Sequence, residues 1–404
     1  MTPRTRYLVV CLLMALAACG TPQRPAGGPS PAAAPSPAAA PSAATTTQGS
    51  AVPPTTPPAA ASPTRAPTPA PTAAQLAGRR IVYSYPGPVP PQDLLDAVRE
   101  GRAGGVIFFS DNTIDPAAFA AAVRQLRQAQ QQSPVRWPLL LMTDQEGGRV
   151  RRLSGAPELS ARQVSEADDP VRAAAEAGAG AGRNLAAAGL NVNLAPVLDV
   201  YAAPGNFIDA KQRSFGQDPG DVGMLTAAFT AAQHREGVAG TVKHFPGLGT
   251  APAGANTDEG PVTLTDPLTE LREVGEAPYP AAIAAGAGLV MLSWAVYPAL
   301  DPDRPAGLSP TVVQQELRGR IGFTGVTVSD ALEAGSLAAF GGTGERAVAA
   351  AAAGVDLLLC SGRDTAQGLR AAEALADALA DGTLARDGFT AAVDRIDALR
   401  AGLR

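Results

Sequence analysis

The sequence predicts an α/β protein, a (β/α)8 TIM barrel preceded by a signal peptide and a disordered Pro/Ala-rich linker. Two observations predict the barrel: eight short apolar runs rich in Val, Ile and Leu recur along the chain, and Ala-rich helical patterns separate them. The runs are continuous rather than alternating, which is typical of strands buried on both faces of a parallel sheet. Eight such strands in one segment of about 330 residues favour a closed barrel over an open sheet.

The N-terminus has the pattern of an export signal. Arg4 and Arg6 precede the apolar run "YLVVCLLMALAAC", which is too short for a stable spanning helix and is typical of a secretory signal. The tetrapeptide "LAAC" that ends at Cys19 resembles a bacterial lipobox. We therefore expect residues 1–19 to be a lipoprotein signal peptide and Cys19 to carry a lipid that anchors the protein to the outer face of the cell membrane. The alternative is an ordinary cleaved signal.

The next segment, residues 20–75, is dominated by Pro, Ala, Ser and Thr and has almost no large apolar side chains. Such a composition buries too little surface to offset the entropy lost on ordering, so it predicts a disordered linker. The folded domain is therefore expected at residues 76–404, as a monomer. The formal net charge of −5 argues against a nucleic-acid partner, because no basic footprint is present.

Strands and helices alternate through the predicted domain. The predicted strands lie at 81–85, 105–110, 138–144, 191–197, 240–245, 289–294, 325–330 and 355–360. Helical patterns lie at 92–103, 115–132, 162–188, 221–236, 278–287, 310–319, 345–353, 364–381 and 387–402. In a barrel of this kind the chemistry lies where strands end and the following loops begin. The third strand ends at Asp144, the fifth at Lys243 and His244, and the seventh at Asp330, so we expect these side chains to meet around one pocket.

The residue types at these strand ends exclude several classes of enzyme. The chain has only two histidines, His234 and His244, and it lacks HExxH or paired-cysteine spacing, so no metal site is expected. No P-loop, GxGxxG or GxSxG motif is present, which argues against nucleotide cofactors and a serine nucleophile. A pair of carboxyl groups acting on a glycosidic bond remains, and Asp330, at the tip of a buried strand, is placed to be the nucleophile.

Six motifs occur in an order that resembles a known family. They are "DQEGGRVRRL", "NLAPVLDV", "RSFGQDP", "KHFPGLG", "YPALDP" and "GVTVSDAL". The set resembles the catalytic barrel of glycoside hydrolase family 3, and most closely its single-domain β-N-acetylglucosaminidases (β-hexosaminidases) of the peptidoglycan-recycling type. The resemblance spans about residues 78–362. It implies a retaining hydrolase, without a cofactor, that removes terminal β-linked N-acetylglucosamine from carbohydrate such as cell-wall fragments.

The resemblance also implies roles for individual residues. The covalent nucleophile of the family falls on Asp330, and its substrate contacts fall on Asp144, Arg152, Arg213, Lys243 and His244. Asp199 either contacts substrate or orients neighbouring loops. Glu146 is expected to shape its loop rather than to react.

The loop after the fifth strand departs from the family pattern. The resembling enzymes have "KHFPGHGxxxxDxH", whose last histidine is the acid/base, whereas this chain has Leu248 at the first of those histidines and none afterwards. Trp294 stands where another histidine often follows the sixth strand. Asp258, or less readily Glu259, could replace the acid/base if burial or the Asp330 charge raised its pKa. Residues 256–258 could instead form only a turn.

Two functions therefore stay open. The first is a working hydrolase that uses Asp258 as its acid/base. The second is a catalytically degenerate sugar-binding or muropeptide-binding surface lipoprotein. We favour the hydrolase, because the nucleophile and the whole sugar-binding set are retained.

Overall fold

Eight parallel strands close into a barrel, which confirms the predicted fold class. The computed structural model describes residues 70–403; Cys19, the predicted signal peptide and most of the predicted linker lie outside them. Each strand pairs with the next in the chain, and Ile81 of the first strand pairs with Leu358 of the last. The strands are β1 Ile81–Tyr83, β2 Gly105–Ile107, β3 Leu140–Thr143, β4 Val192–Asn193, β5 Ala239–Phe245, β6 Leu289–Leu292, β7 Val326–Ala331 and β8 Leu357–Leu359.

Helices surround this barrel. They are α1 Ala73–Gly78, α2 Gln92–Arg99, α3 Ser110–Thr113, α4 Pro116–Gln131, α5 Ala161–Ser165, α6 Pro170–Ala188, α7 Pro219–Arg235, α8 Leu268–Glu270, α9 Tyr279–Ala284, α10 Thr343–Ala353, α11 Thr365–Ala380 and α12 Arg386–Ala401. Within residues 70–403 the chain also forms two π-helical segments, Leu271–Gly275 and Thr311–Arg320, and three 3-10 helices, Asp209–Lys211, Ala306–Leu308 and Gly335–Phe340. Among the described residues, no helix is long and apolar enough to cross a membrane.

Asp-Pro pairs start three of the long helices, α4, α6 and α7. The carboxylate of Asp115 accepts a hydrogen bond from the Ala117 amide at 2.8 Å, and the following proline occupies the first helical position. This placement satisfies amides that have no partner inside the helix, and the proline loses nothing there. Asp169–Pro170 separates α5 from α6, so the single helix predicted over 162–188 is two helices, because the residue before a proline disfavours helical geometry.

The described domain begins slightly earlier than the predicted boundary at residue 76. Helix α1 starts at Ala73, and Thr72 forms a capping box with Gln75. Leu76 and Ala77 are buried against the barrel assembly. The boundary was placed too late because the composition of residues 70–75 still resembles that of the linker, and only the cap marks the helix start.

Period-two alternation along the strands divides their side chains between the two faces of the sheet. One buried cluster contains Val82, Ile107, Leu140, Met142, Val192, Leu194, Ala239, Leu289, Met291, Val326, Val328, Leu357 and Leu359. The neighbouring strand positions belong to the larger cluster that the helices cover. Both faces are therefore apolar, which is why the strand sequences are continuous rather than alternating.

The same alternation places three charged residues on the interior face of the barrel. Asp144 lies two residues beyond Met142, Lys243 lies four beyond Ala239, and Asp330 lies two beyond Val328. Each of them continues the interior face of its strand at the carboxyl end of the barrel. The strand register therefore brings these charged groups together before any loop contributes.

Candidate active site

A cavity of about 500 Å³ opens at the carboxyl ends of the barrel strands. Its apolar floor consists of Ile107, Leu194, Met291 and Leu359, which come from four different strands or strand ends. All predicted site residues within the described part of the chain line it: Asp144, Arg152, Arg213, Lys243, His244, Asp258 and Asp330. The cavity has the volume and the polar wall that a small polar ligand such as one sugar ring requires.

A network of ion pairs forms one wall of the cavity. The Lys243 ammonium lies 2.8 Å from both the Asp144 and the Glu146 carboxylates. Arg213 donates two hydrogen bonds to Glu146, at 2.9 and 2.8 Å, and Arg152 lies 3.6 Å from Asp144. The sequence placed Glu146 only in a loop, whereas the structure shows it as the shared anion that fixes two of the predicted sugar-binding cations.

This network keeps Glu146 and Lys243 charged. Burial alone would raise the pKa of Glu146, but the adjacent Arg213 and Lys243 hold that pKa well below its ordinary value. Burial alone would lower the pKa of Lys243, but Asp144 and Glu146 hold it above its ordinary value. Because Glu146 stays ionised, it is unsuited to donate a proton to a leaving group. The wall therefore offers fixed charges and hydrogen bonds rather than an acid.

Asp199 orients His244. The Asp199 carboxylate is completely buried and lies 2.7 Å from the His244 Nδ1, and it also accepts a hydrogen bond from the Leu248 amide at 2.7 Å. Burial alone would raise the pKa of Asp199, but His244 and the backbone donors lower it. The Nδ1 is thereby occupied, which leaves the Nε2 available to the cavity that His244 lines. Of the two roles open for Asp199, the structure shows the orienting one.

Asp330 lies at the end of β7 and is held by its neighbours. The Ala331 amide donates to the Asp330 Oδ1 at 2.8 Å, and the Trp294 indole donates to the Ala331 carbonyl at 2.9 Å. Trp294 is fully buried, so in this chain it supports the backbone next to Asp330 instead of contributing an imidazole. With Oδ1 engaged, Oδ2 is the oxygen of Asp330 that is left to react.

The loop after β5 reaches the cavity, and it places Thr257 and Asp258 in the cavity wall. Asn256 organises a turn in which its side chain accepts from the Asp258 amide at 3.0 Å and its carbonyl accepts from the Glu259 amide at 3.0 Å. The turn interpretation of residues 256–258 is therefore correct for the backbone. It does not compete with a chemical role, because the Asp258 side chain still lines the cavity.

The environment of Asp258 favours its protonated form. Partial burial in the cavity, and then the negative charge of Asp330, raise the pKa of Asp258 above its ordinary value. The residue lies at the solvent-exposed mouth, where water screens part of this effect. A raised pKa suits the Asp258 carboxyl group to the role of general acid.

Several cavity residues carry no signal in the sequence. After β7, Glu333 accepts hydrogen bonds from the Ser361 hydroxyl at 2.7 Å, the Ser361 amide at 3.2 Å and the Gln367 amide nitrogen at 2.9 Å. Other cavity residues that we did not predict include Phe109, Ser110, Asp111, Phe207, Lys211 and Arg363. They lie in the segments that follow β2, β4 and β8 and outside the six motifs, so only the fold brings them to the site.

The fold and the site define a class: a (β/α)8 barrel whose polar cavity holds two candidate catalytic carboxyl groups, Asp258 and Asp330, beside fixed cations. Comparison with known proteins gives the family. Residues 82–399 match the model for the glycosyl hydrolase family 3 N terminal domain. The chain belongs to glycoside hydrolase family 3.

Relatives and solved structures agree with this family. The chain is 46% identical over 329 residues to an uncharacterized secreted glycosyl hydrolase of Arthroderma benhamiae. The matched segment covers 81% of this chain and 93% of the relative. A family 3 β-N-acetylglucosaminidase from Paenibacillus sp. has a TM-score of 0.77 at 35% identity over 82% of this chain, and this chain spans 63% of its length. A β-N-acetylhexosaminidase from Beutenbergia cavernae has a TM-score of 0.73 at 34% identity, covering 82% of this chain and 98% of its own. The predicted glycosidase class is thereby confirmed.

Proposed function

We propose that this family 3 glycosidase removes terminal β-linked N-acetylglucosamine with retention of configuration, from fragments of the cell wall. The observation that carries the proposal is that Asp330 and Asp258 line one cavity together with the whole predicted sugar-binding set. Solved structures similar to this chain include enzymes named β-N-acetylglucosaminidase and β-N-acetylhexosaminidase, which supports the choice of sugar.

Two carboxyl groups have separate catalytic roles, one as the nucleophile and the other as the acid/base. The free Oδ2 of Asp330 attacks the anomeric carbon while protonated Asp258 donates its proton to the departing glycosidic oxygen. The bond to the leaving group breaks and a covalent glycosyl-enzyme forms on Asp330. Ionised Asp258 then takes a proton from water, the water oxygen bonds to the anomeric carbon, and Asp330 is released. Each group returns to its starting protonation state.

The charged wall holds the terminal sugar for this reaction. Asp144 accepts hydrogen bonds from sugar hydroxyls, and Arg152, Lys243 and His244 are positioned as donors to others. Arg213 is held in place by two hydrogen bonds from its guanidinium to Glu146, so its position is set before substrate arrives. Preorganised donors of this kind cost little reorganisation during the reaction.

A second function, binding of sugar or muropeptide without turnover, is favoured by one observation. The loop that carries Asp258 holds no histidine, and Leu248 lines the cavity where the family pattern has one. Binding alone requires only the charged wall. Calorimetry that detects N-acetylglucosamine binding, combined with no cleavage of an activated aryl glycoside, would select this function.

Cleavage of aryl glycosides tests the proposed function. We expect the purified domain to hydrolyse 4-nitrophenyl β-N-acetylglucosaminide and to release the β-anomer first, as seen by NMR during the first turnovers. The matched glucoside, which lacks the acetamido group, is expected to react more slowly. Release of the α-anomer would contradict retention, and a faster reaction with the glucoside would contradict the sugar assignment.

We propose that the protein is exported and anchored by a lipid on Cys19. The "LAAC" tetrapeptide supports the anchor, and the secreted relative supports export. In cells that process lipoproteins, replacement of Cys19 by Ser is expected to move the protein from the membrane fraction to the soluble fraction without changing its activity. Equal membrane recovery of both forms would contradict a lipid on Cys19.

A further inference from the structure

The loop that carries Asp258 is attached to the loop that follows the nucleophile. The Gly335 amide donates to the Asp258 carbonyl at 2.8 Å, and the Ser336 amide donates to the Thr257 carbonyl at 3.1 Å. Gly335 begins the 3-10 helix Gly335–Phe340, only a few residues after Asp330. The backbone of the candidate acid is thus bonded directly to the segment that extends from the candidate nucleophile.

The contact at Gly335 is too close for any side chain. A Cβ atom placed on Gly335 would lie 2.4 Å from the Glu259 carbonyl oxygen and 3.0 Å from that of Asp258, whereas ordinary contacts begin at 3.4 Å. Both oxygens belong to the backbone, so they cannot rotate away as the end of a flexible side chain would. An alanine at this position must therefore widen the separation between the backbone at 335 and the backbone of residues 257–259 by about 1 Å.

We propose that Gly335 is a positioning residue for the acid/base: its close backbone contact holds the Asp258 loop against the nucleophile loop, so that both carboxyl groups face one glycosidic bond. This inference rests on the proposed function, in which Asp258 is the acid/base. Gly335 touches no reacting atom and acts only through the 257–259 backbone. The Asp258 loop is therefore held in place before substrate arrives.

Gly335→Ala is the test, with Gly260→Ala as its matched control. Gly260 lies on the same loop, and a Cβ there meets nothing within 4 Å. We expect Gly335→Ala to lower kcat/KM for a β-linked N-acetylglucosamine disaccharide about 10²-fold, the effect that a misplacement of about 1 Å can have. Gly260→Ala is expected to keep the wild-type value. The kcat/KM for an aryl glycoside with a good leaving group should change little in both variants, because that bond needs little protonation.

The aryl glycoside also reports folding, since its cleavage needs an intact cavity and nucleophile. If Gly335→Ala matches Gly260→Ala on the disaccharide, the positioning role is wrong. If Gly335→Ala slows both substrates equally, the substitution distorts the site in general and the proposal is equally overturned. A second readout is the pH profile: moving Asp258 away from the Asp330 charge weakens its hold on the proton, so the high-pH limb of kcat/KM should move to lower pH.

A double variant separates this inference from the proposed function. In an Asp258→Ala background, Gly335→Ala should cost nothing more on the disaccharide, because it acts only through Asp258. A further loss of about 10²-fold in kcat/KM in that background would show that Gly335 acts through a residue other than Asp258, and it would overturn the positioning role. If Asp258→Ala itself leaves disaccharide cleavage unchanged, the acid/base assignment fails, and the positioning role for that acid fails with it.

Discussion

Replacement of Asp330 by Ala is expected to abolish cleavage of both the disaccharide and the activated aryl glycoside, with kcat falling about 10⁴-fold or more. Without this carboxylate no covalent intermediate forms, and no leaving group, however good, compensates for a missing nucleophile. Glu333, a cavity carboxylate three residues further along the chain, already accepts three hydrogen bonds from Ser361 and Gln367, which hold it in another role.

Steady-state assays and calorimetry on the same preparation check this prediction. The Asp330→Ala variant should still bind N-acetylglucosamine, because Asp144, Lys243 and Arg213 are untouched. Asp303→Ala, at an exposed position of the short strand Asp301–Pro305 that lies outside the barrel, serves as the surface control and should keep full activity. Survival of aryl glycoside cleavage in Asp330→Ala would remove the nucleophile assignment.

Replacement of Asp258 by Ala is expected to slow cleavage of the disaccharide far more than that of an activated aryl glycoside. For the disaccharide, kcat/KM should fall about 10²–10⁴-fold, which is the usual contribution of general acid–base catalysis. For an aryl glycoside with a good leaving group, kcat/KM should stay within a few-fold of wild type, whereas kcat falls because water is no longer activated. Added azide, which needs no base, should restore that kcat and give a glycosyl azide.

The pH dependence of disaccharide cleavage tests the same assignment of Asp258 as the acid. Asp258 must be protonated to act as the acid, and burial together with the Asp330 charge raises its pKa above the ordinary value. Disaccharide cleavage should therefore persist above the usual carboxyl range and decline as the pH rises through the Asp258 pKa. The decline should be absent for the activated glycoside in kcat/KM. An Asp258→Ala variant that cleaves both substrates normally would show that another group is the acid.

Much of the fold followed from the sequence because its determinants are local. Each barrel strand lies within a short, mainly apolar run, and the carboxyl end of β3, β5 and β7 is marked by Asp144, Lys243 and Asp330. Period-two alternation alone directs these three side chains inward. The convergence of the sugar-binding set could therefore be predicted from strand register and motif positions.

The contacts that the sequence could not predict are those that join distant loops. Glu146 was expected to shape its loop, yet it lies 67 positions before Arg213 and holds it in a double hydrogen bond. The Asp199–His244 pair spans 45 positions, and its role was left open. The bond from Gly335 to the Asp258 carbonyl has no side chain at all on the donor residue. Such pairings depend on the packed barrel, and no local pattern encodes them.

During turnover, the anomeric carbon of the sugar is expected to bond covalently to Asp330. The most direct measurement uses the Asp258→Ala variant, in which release by water is slow, mixed with an activated aryl N-acetylglucosaminide, quenched in acid and analysed by peptide mass spectrometry. The peptide that contains Asp330 is expected to gain one N-acetylglucosaminyl unit, and its fragment ions are expected to place that unit on Asp330. Steady release of the aryl group with no adduct on that peptide, as in a reaction through the acetamido oxygen of the substrate itself, would contradict this expectation.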